Sequence, residues 1–281
     1  MIVTVSLTQE IVLRMWSGGP DKLTIISTII TVILTSSPLT SHGRDLAKWL
    51  LAHLRIRDNK RSVAILAISC IAFILVLGIR ISLPILGRFY NQQGYKHYLA
   101  GNLTAAQHSF TRAVSLNPDY AAGLYNLADG LVDIGDYEKA HSIYQNVLGA
   151  DRNLDLAYNG MGYTLIMQGR NKDAILILYS GLAVAQDDES RLALLANLGR
   201  AYLADHRAFE AEEVLDQALD IDPTDASTNC SLAAVYEFLS KPDEQQKVAW
   251  EKCLAYATDA TSRHQEMAAT ARAHLRLLAE K

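Results

Sequence analysis

The chain is poor in cysteine, the residue of disulfide frameworks and of many structural metal centres. It contains three cysteines among 281 residues, Cys70, Cys230 and Cys253, and their spacing matches no metal-ligand pattern. Cys230 and Cys253 fall at positions expected to point to different sides of their helices. We therefore predict that they are two small buried hydrophobic side chains and do not form a disulfide.

The sequence also lacks a catalytic constellation. Its eight histidines are scattered, without a His-Glu-x-x-His pair or another metal-ligand spacing. The glycine pair Gly160 and Gly162 follows no predicted strand and has no third glycine, so it does not indicate a nucleotide-binding loop. The acidic run 187–189 is typical of a solvated loop. We predict that the protein is not an enzyme and holds no cofactor and no metal ion.

Most of the chain has no surplus of basic charge. Residues 1–86 hold nine Lys and Arg against four Asp and Glu, whereas residues 87–281 hold 17 against 26. Nucleic-acid contacts require clustered Lys and Arg on the binding surface. The charge distribution therefore argues against nucleic acid as a ligand of residues 87–281.

One long uncharged run stands out. Val63–Ile79 are 17 consecutive residues without charge. As a helix this run is about 26 Å long, and its apolar flanks extend it toward the roughly 30 Å of a bilayer core. A buried helix of a soluble protein normally shows a polar stripe, and this run shows none. We predict a transmembrane helix over residues 62–86, with membrane lipid around it.

The N-terminal region, residues 1–61, leaves alternatives open. The uncharged run 23–39 contains many hydroxyl residues, so a first membrane span, an interfacial helix and a buried soluble helix all fit it. Residues 44–57 predict a basic amphipathic helix, either in a membrane interface or on an ordinary protein surface.

The charges beside the predicted span indicate its orientation. Lys48, Arg55, Arg57, Lys60 and Arg61 precede it, and fewer basic residues follow closely. The positive-inside rule places the basic flank in the cytoplasm or an equivalent compartment. We therefore expect the chain after the span on the non-cytoplasmic side of the membrane, whether one span or two precede it.

From Gly87 to about Leu254 one pattern returns roughly every 34 residues. Copies begin at positions 87, 121, 155 and 192, and a degenerate copy begins at 226. Counted from each beginning, large residues occupy positions 4, 11 and 24, small residues positions 8 and 20, and glycine or a polar residue position 15. Apolar residues at this spacing predict two helices per copy, joined by a turn. Small residues at positions 8 and 20 allow the two helices to approach closely.

This pattern resembles the tetratricopeptide repeat, a helix–turn–helix unit of 34 residues. The resemblance covers about 170 of the 281 residues. It implies an all-α fold: a solenoid of four clear repeats and a degenerate fifth over 87–258, preceded by the transmembrane helix. Residues 259–281 predict a last helix with apolar residues on one side. Such a helix caps the open end of the solenoid.

In the resembled family, the first helices of the repeats line a concave groove that receives a peptide or a partner helix. Tyrosine supplies contact area there, and asparagine bonds a peptide backbone. Mapped onto this chain, the groove consists of Tyr95, Tyr98, Tyr125, Asn126, Asp129, Asn159, Tyr163, Asn197 and Arg200. The Lys/Asn/Arg set with which chaperone-binding members clamp a terminal carboxylate is absent, because only Asn126 matches it.

These features favour a membrane-anchored scaffold or adaptor that binds a protein or peptide partner during assembly or organisation of a membrane complex. The alternative is a sensory or regulatory membrane protein whose groove binds a small ligand or a cell-wall component. Residues 1–61 are too short and irregular for a catalytic domain that would transmit such a signal, so we favour the scaffold.

Overall fold

The computed structural model describes Trp49, residues 61–257 and residues 262–280, and the secondary structure within these ranges is α-helical. The run 23–39 and, except for Trp49, the segment 44–57 lie outside the described residues. The described helices are α1 Arg61–Leu99, α2 Leu103–Leu116, α3 Ala121–Asp133, α4 Tyr137–Ala150, α5 Asp155–Met167, α6 Asn171–Leu182, α7 Asp188–Ala204, α8 Ala208–Ile221, α9 Ala226–Phe238, α10 Asp243–Tyr256 and α11 Ser262–Ala279. The all-α prediction is confirmed.

The chain divides into two compact units at the boundary between Gly130 and Leu131. In the first unit, α1 and α2 form a helical hairpin, in which Val76 and Leu83 of α1 form one buried cluster with Leu116 of α2. In the second unit, helices α4 to α11 pack against one another in chain order. Successive helices contact each other there because each buries the apolar face that its neighbour leaves open.

Helix α1 differs from the sequence expectation. Pro84 and Gly87 predict a break between the membrane span and the first repeat, since proline removes an amide donor and glycine is a poor helix former. Instead, α1 continues through Pro84 for 39 residues. Leu83 and Gly87 are both buried in the hairpin, so packing against α2 outweighs the local preference. The predicted span and the first helix of the repeats are therefore one helix.

The turn between paired helices has the same geometry in all five repeats. Position 15 is in the left-handed region, with φ between 52° and 78°. The residues are Gly101, Gly135, Gly169, His206 and Ser240. In each turn the next residue's amide donates to the carbonyl five positions earlier, as Arg170 does to Leu165 at 2.9 Å. This bond closes the end of the first helix and shows that the degenerate fifth copy keeps the repeat's register as far as this turn.

The small residue at position 8 brings the two helices of a repeat together. A Cβ atom added to Gly162 would lie 2.5 Å from the Leu178 side chain, and one added to Gly199 would lie 2.4 Å from Leu215. Such distances are far inside van der Waals contact, so only glycine fits without movement. The close-approach role predicted for this position is confirmed. Helix packing explains the glycine at Gly162, and a nucleotide-binding loop is not needed to explain it.

The prediction that Cys230 and Cys253 stay unpaired is wrong. They form a disulfide that joins α9 to α10, with their Cα atoms 4.5 Å apart. The second helix of the fifth repeat carries its pattern one residue late, and one residue rotates a side chain by about 100° around a helix. Cys253 consequently faces α9, where it is buried with Ala233 and Trp250.

The C-terminal helix α11 covers the end of the second unit. Its Ala271 is buried in the cluster that holds Trp250, and Leu275 and Leu278 pack against that cluster. Trp250 also stacks on His274, with ring centroids 4.4 Å apart. The apolar side of α11 thereby shields the last repeat from solvent.

Candidate partner-binding face

The predicted groove residues fall into two clusters on first helices, one in each compact unit. Cluster 1 lies on α1 and α3 and contains Tyr95, Tyr98, Tyr125, Asn126 and Asp129. Cluster 2 lies on α5 and α7 and contains Asn159, Tyr163, Asn197 and Arg200. Tyr95 is exposed, and the other members of both clusters are half-buried. Each side chain is thus held by the fold while part of it faces outward.

A chain of hydrogen bonds fixes cluster 1. The Asn126 amide donates to the Asn91 side-chain carbonyl at 3.0 Å, and the Asn91 amide donates to the Tyr120 hydroxyl at 3.5 Å. Asn91 itself is buried. A buried amide without partners would cost free energy, so this chain holds α1 and α3 in one arrangement and sets the direction of Asn126.

Tyr125 is a residue of cluster 1 whose pKa its surroundings change strongly. Burial raises the pKa of its hydroxyl above the ordinary tyrosine value, and the nearby Asp129 carboxylate and Tyr98 raise it further. The hydroxyl therefore stays protonated well above the physiological pH range. In the same cluster, Tyr95 of α1 presents an exposed aromatic ring.

Cluster 2 is a connected network across α5 and α7. The Asn197 amide donates to the Asn159 carbonyl at 2.8 Å, and Arg200 donates to the Asn197 carbonyl at 3.5 Å. The Arg200 guanidinium also lies 5.4 Å from the centre of the Tyr163 ring, within the range of a cation–π contact. The structure therefore brings together all four residues that the sequence assigns to this part of the groove.

The two clusters share a rule that the sequence analysis missed. In each, an asparagine at position 5 of one repeat accepts from an asparagine at position 6 of the next repeat, Asn91 from Asn126 and Asn159 from Asn197. Tyr137 of α4 was also missed; its ring meets Tyr163 edge-on at 6.5 Å. Repeat alignment shows that the asparagines recur at these two positions but not that they bond to each other, and no repeat position marks Tyr137.

Helix α1 carries a separate, apolar surface. Ile74, Ile81 and Ile85 are each about two-thirds exposed, and Gly78 between them has open space around it. The stretch Phe73–Leu99 is long and apolar enough to cross a membrane by length and composition. Among the described residues, no group of three or more His, Cys, Asp or Glu side chains could hold a metal ion.

Sequence comparison identifies the repeats. The tetratricopeptide-repeat family model matches twice, over residues 97–161 and 131–198. The uncharacterized protein ycf37 of Pyropia yezoensis is 32% identical over 69 residues, which are 25% of this chain and 39% of that protein. This chain thus matches less than half the length of that relative.

Solved structures show the same fold. A thermophilic tetratricopeptide-repeat protein of Thermus thermophilus superposes with a TM-score of 0.56 at 19% identity, over 68% of this chain and 99% of that one. PilF of Pseudomonas aeruginosa gives a TM-score of 0.56 at 18% identity, over 70% of this chain and 93% of its own. The described residues therefore have the all-α fold of a tetratricopeptide-repeat solenoid.

Proposed function

We propose that this tetratricopeptide-repeat chain is a membrane-anchored scaffold that holds a protein or peptide partner on its first-helix clusters, for assembly or organisation of a membrane complex. The observation that carries the proposal is the fixed arrangement of cluster 2. There Asn159, Asn197 and Arg200 are hydrogen-bonded in series, and Arg200 lies over Tyr163.

Such a surface suits a partner that arrives as an extended peptide or a helix. Aromatic rings and arginine are the side chains that contribute most to protein interfaces. Because the network already restrains them, little side-chain entropy is lost on binding. Cluster 1 adds an exposed ring at Tyr95 and a half-buried tyrosine, Tyr125, that stays protonated.

The apolar surface of α1 supports the membrane anchor. Exposed isoleucines are costly in water and favourable among lipid chains. Because α1 runs without a break from the apolar stretch into the first repeat, the anchor would hold the repeats at the membrane without a flexible linker. Tethering raises the effective concentration of the repeats for a partner in the same membrane.

Two independent observations support a non-cytoplasmic location for the repeats. Basic residues are concentrated before the apolar stretch of α1, which favours that side as the cytoplasmic one. The Cys230–Cys253 disulfide is typical of an oxidising compartment outside the cytosol. The charge rule and the disulfide concern different parts of the chain, yet they favour the same orientation.

Site-specific photo-crosslinking tests the scaffold function. The photoreactive residue p-benzoylphenylalanine is placed at Tyr95 or Tyr163 of the full chain in cells, and at Leu176 as a control. Leu176 is an exposed apolar residue on α6, the second helix of its repeat. We expect one discrete adduct from the two first-helix positions, containing a subunit of a membrane complex, and no such adduct from Leu176.

An Arg200→Ala variant gives the matching loss of function. Removing a central arginine from an interface costs about 1–2 kcal/mol or more, which is about tenfold or more in affinity. The adduct at Tyr163 should fall accordingly while the chain stays helical by circular dichroism. Equal adducts from Leu176 and Tyr163, or an adduct that Arg200→Ala leaves unchanged, would place partner binding elsewhere.

A further inference from the structure

A cleft of about 310 Å³ opens among the helices α8, α9 and α10 of the second unit. Apolar side chains form much of its wall, among them Leu219 of α8, Leu232 and Tyr236 of α9, and Val248 of α10. Its volume is at the lower end of the range for small-molecule sites. It therefore suits one or two side chains of a partner better than a cofactor.

The cleft exists because one repeat position has lost its large side chain. Position 4 is Tyr90, Leu124, Tyr158 and Leu195 in the first four repeats and Asn229 in the fifth. The Asn229 amide turns back toward the beginning of its own helix and donates to the carbonyls of Pro223 at 3.1 Å and Asp225 at 2.9 Å. The space that a leucine or tyrosine fills in the other repeats is left open at the cleft.

The neighbouring surface of α8 is acidic. Glu212, Asp216 and Asp220 follow one another at four-residue spacing, so they lie on one side of that helix. Burial raises the pKa of the Asp216 carboxyl, and the negative charges of Glu212 and Asp220 raise it further. Burial also raises the pKa of the cleft residue Tyr236, and the negative charges of Asp216 and Glu212 raise it further. The geometry places this acidic side of α8 beside the cleft: Glu212 pairs with Lys241, Lys241 lies over the ring of the cleft residue Tyr236, and Leu219, next to Asp220, lines the cleft.

Two lysines only partly neutralise this charge. Lys241 pairs with Glu212 at 3.2 Å and lies 5.5 Å from the centre of the Tyr236 ring. Lys252 and Glu244 both line the cleft and offset each other. Asp216 and Asp220 leave a net negative charge beside an apolar opening. The repeats of a second copy are a poor match for that surface, because residues 87–281 are themselves acidic. The basic residues of a second copy are concentrated in 44–61, which the predicted span separates from the repeats.

We propose that this cleft is a second docking site, which takes an aliphatic side chain of a protein partner flanked by lysine or arginine. The aliphatic side chain would fill the space beside Asn229, between Leu232 and Val248. The basic neighbours would lie against Asp216 and Asp220. The site uses residues of α8, α9 and α10, whereas cluster 2 uses α5 and α7, so the proposal does not depend on the function of the first-helix clusters.

The test uses the full chain in a neutral detergent and a short synthetic peptide. The peptide carries one photo-leucine with two lysines on each side and glycine–serine ends. After irradiation, mass spectrometry maps the attachment sites. We expect attachment to residues of α8, α9 and α10, and at least tenfold weaker capture of a peptide with glutamates in place of the lysines.

The decisive variant is Asn229→Leu, which restores the side chain usual at position 4 and fills the cleft. It should lower peptide capture at least tenfold, whereas Asn146→Leu should not, because Asn146 is an exposed asparagine on α4. Val248→Lys serves if Asn229→Leu fails to fold. Val248 is partly exposed, and a lysine there closes the opening and repels a basic peptide.

Charge variants complete the test. Asp216→Asn should weaken capture several-fold and reduce its dependence on salt, whereas Asp119→Asn, at an exposed acid of the first unit, should do neither. Equal capture of the lysine and glutamate peptides would overturn the proposal. So would attachment that spreads over the acidic surface and survives both Asn229→Leu and Val248→Lys.

Discussion

At the scale of single residues, the turn between paired helices distinguishes two kinds of repeat. The first three repeats have glycine at position 15, and the last two have His206 and Ser240 at φ of 61° and 52°. A left-handed conformation costs a residue with a side chain roughly 1–2 kcal/mol, and glycine avoids this cost. The last two turns thus retain strain that the first three lack.

Ser240→Gly should therefore stabilise the chain. We expect the free energy of unfolding of the last repeat to rise by about 1 kcal/mol, the relief of left-handed strain less the extra flexibility of glycine. Urea unfolding of the detergent-solubilised chain, followed by circular dichroism, measures the effect. Ser142→Gly is the matched control, because Ser142 is exposed within α4 and glycine inside a helix destabilises it. If Ser240→Gly and Ser142→Gly changed the free energy of unfolding in the same direction, backbone strain at Ser240 would not explain the effect.

At the scale of helices, Gly162 determines how closely α5 and α6 approach. An alanine methyl group would lie 2.5 Å from the Cγ and Cδ2 atoms of Leu178. Gly162→Ala should lower the free energy of unfolding by about 1–3 kcal/mol, the usual cost of overpacking a buried contact. The midpoint of thermal unfolding is the measurement.

Gly149→Ala separates this packing effect from the general effect of replacing glycine. Gly149 lies near the end of α4, and an added Cβ atom there meets nothing within 4 Å. Alanine has the higher helix propensity by about 1 kcal/mol, so this variant should gain stability. If Gly162→Ala were equally stabilising, the two helices would not be held together by close contact at that position.

The same elements show what could be predicted from the sequence. The positions of turns and close contacts follow from the repeat, because small and large residues recur there for steric reasons. The continuity of α1 through Pro84 does not follow, because it depends on packing against α2 that no local pattern reveals. The Cys230–Cys253 contact was missed because a one-residue shift in α10 changes which side chains face α9.

The candidate sites divide in a similar way. Repeat alignment predicts the members of cluster 2, because the first-helix positions are periodic. It does not predict that Asn159 and Asn197 bond diagonally, since the offset between neighbouring first helices is a matter of tertiary geometry. The cleft beside Asn229 arises from a missing side chain. Such a gap becomes visible in the sequence only when each repeat is compared with the others at the same position.

At the scale of the whole molecule, a membrane span in α1 would also determine the compartment in which the repeats lie. If the apolar stretch of α1 spans a membrane, carbonate washing should leave the protein in the pellet. In sealed vesicles of known sidedness, protease added on the non-cytoplasmic side should then digest the repeats, and protease added on the cytoplasmic side should not. This result is expected from the basic residues before the span.

The disulfide gives an independent measurement of the same orientation. Cells are quenched in acid, and free thiols are alkylated with a maleimide before any reductant is added. With the repeats in an oxidising compartment, Cys230 and Cys253 should resist alkylation until they are reduced. If Cys230 and Cys253 are reduced and the repeats are digested from the cytoplasmic side, the proposed orientation is wrong and the repeats lie in the cytoplasm. Release of the intact chain by carbonate would instead contradict the membrane anchor. Partner binding by the two first-helix clusters would then have to be tested in solution.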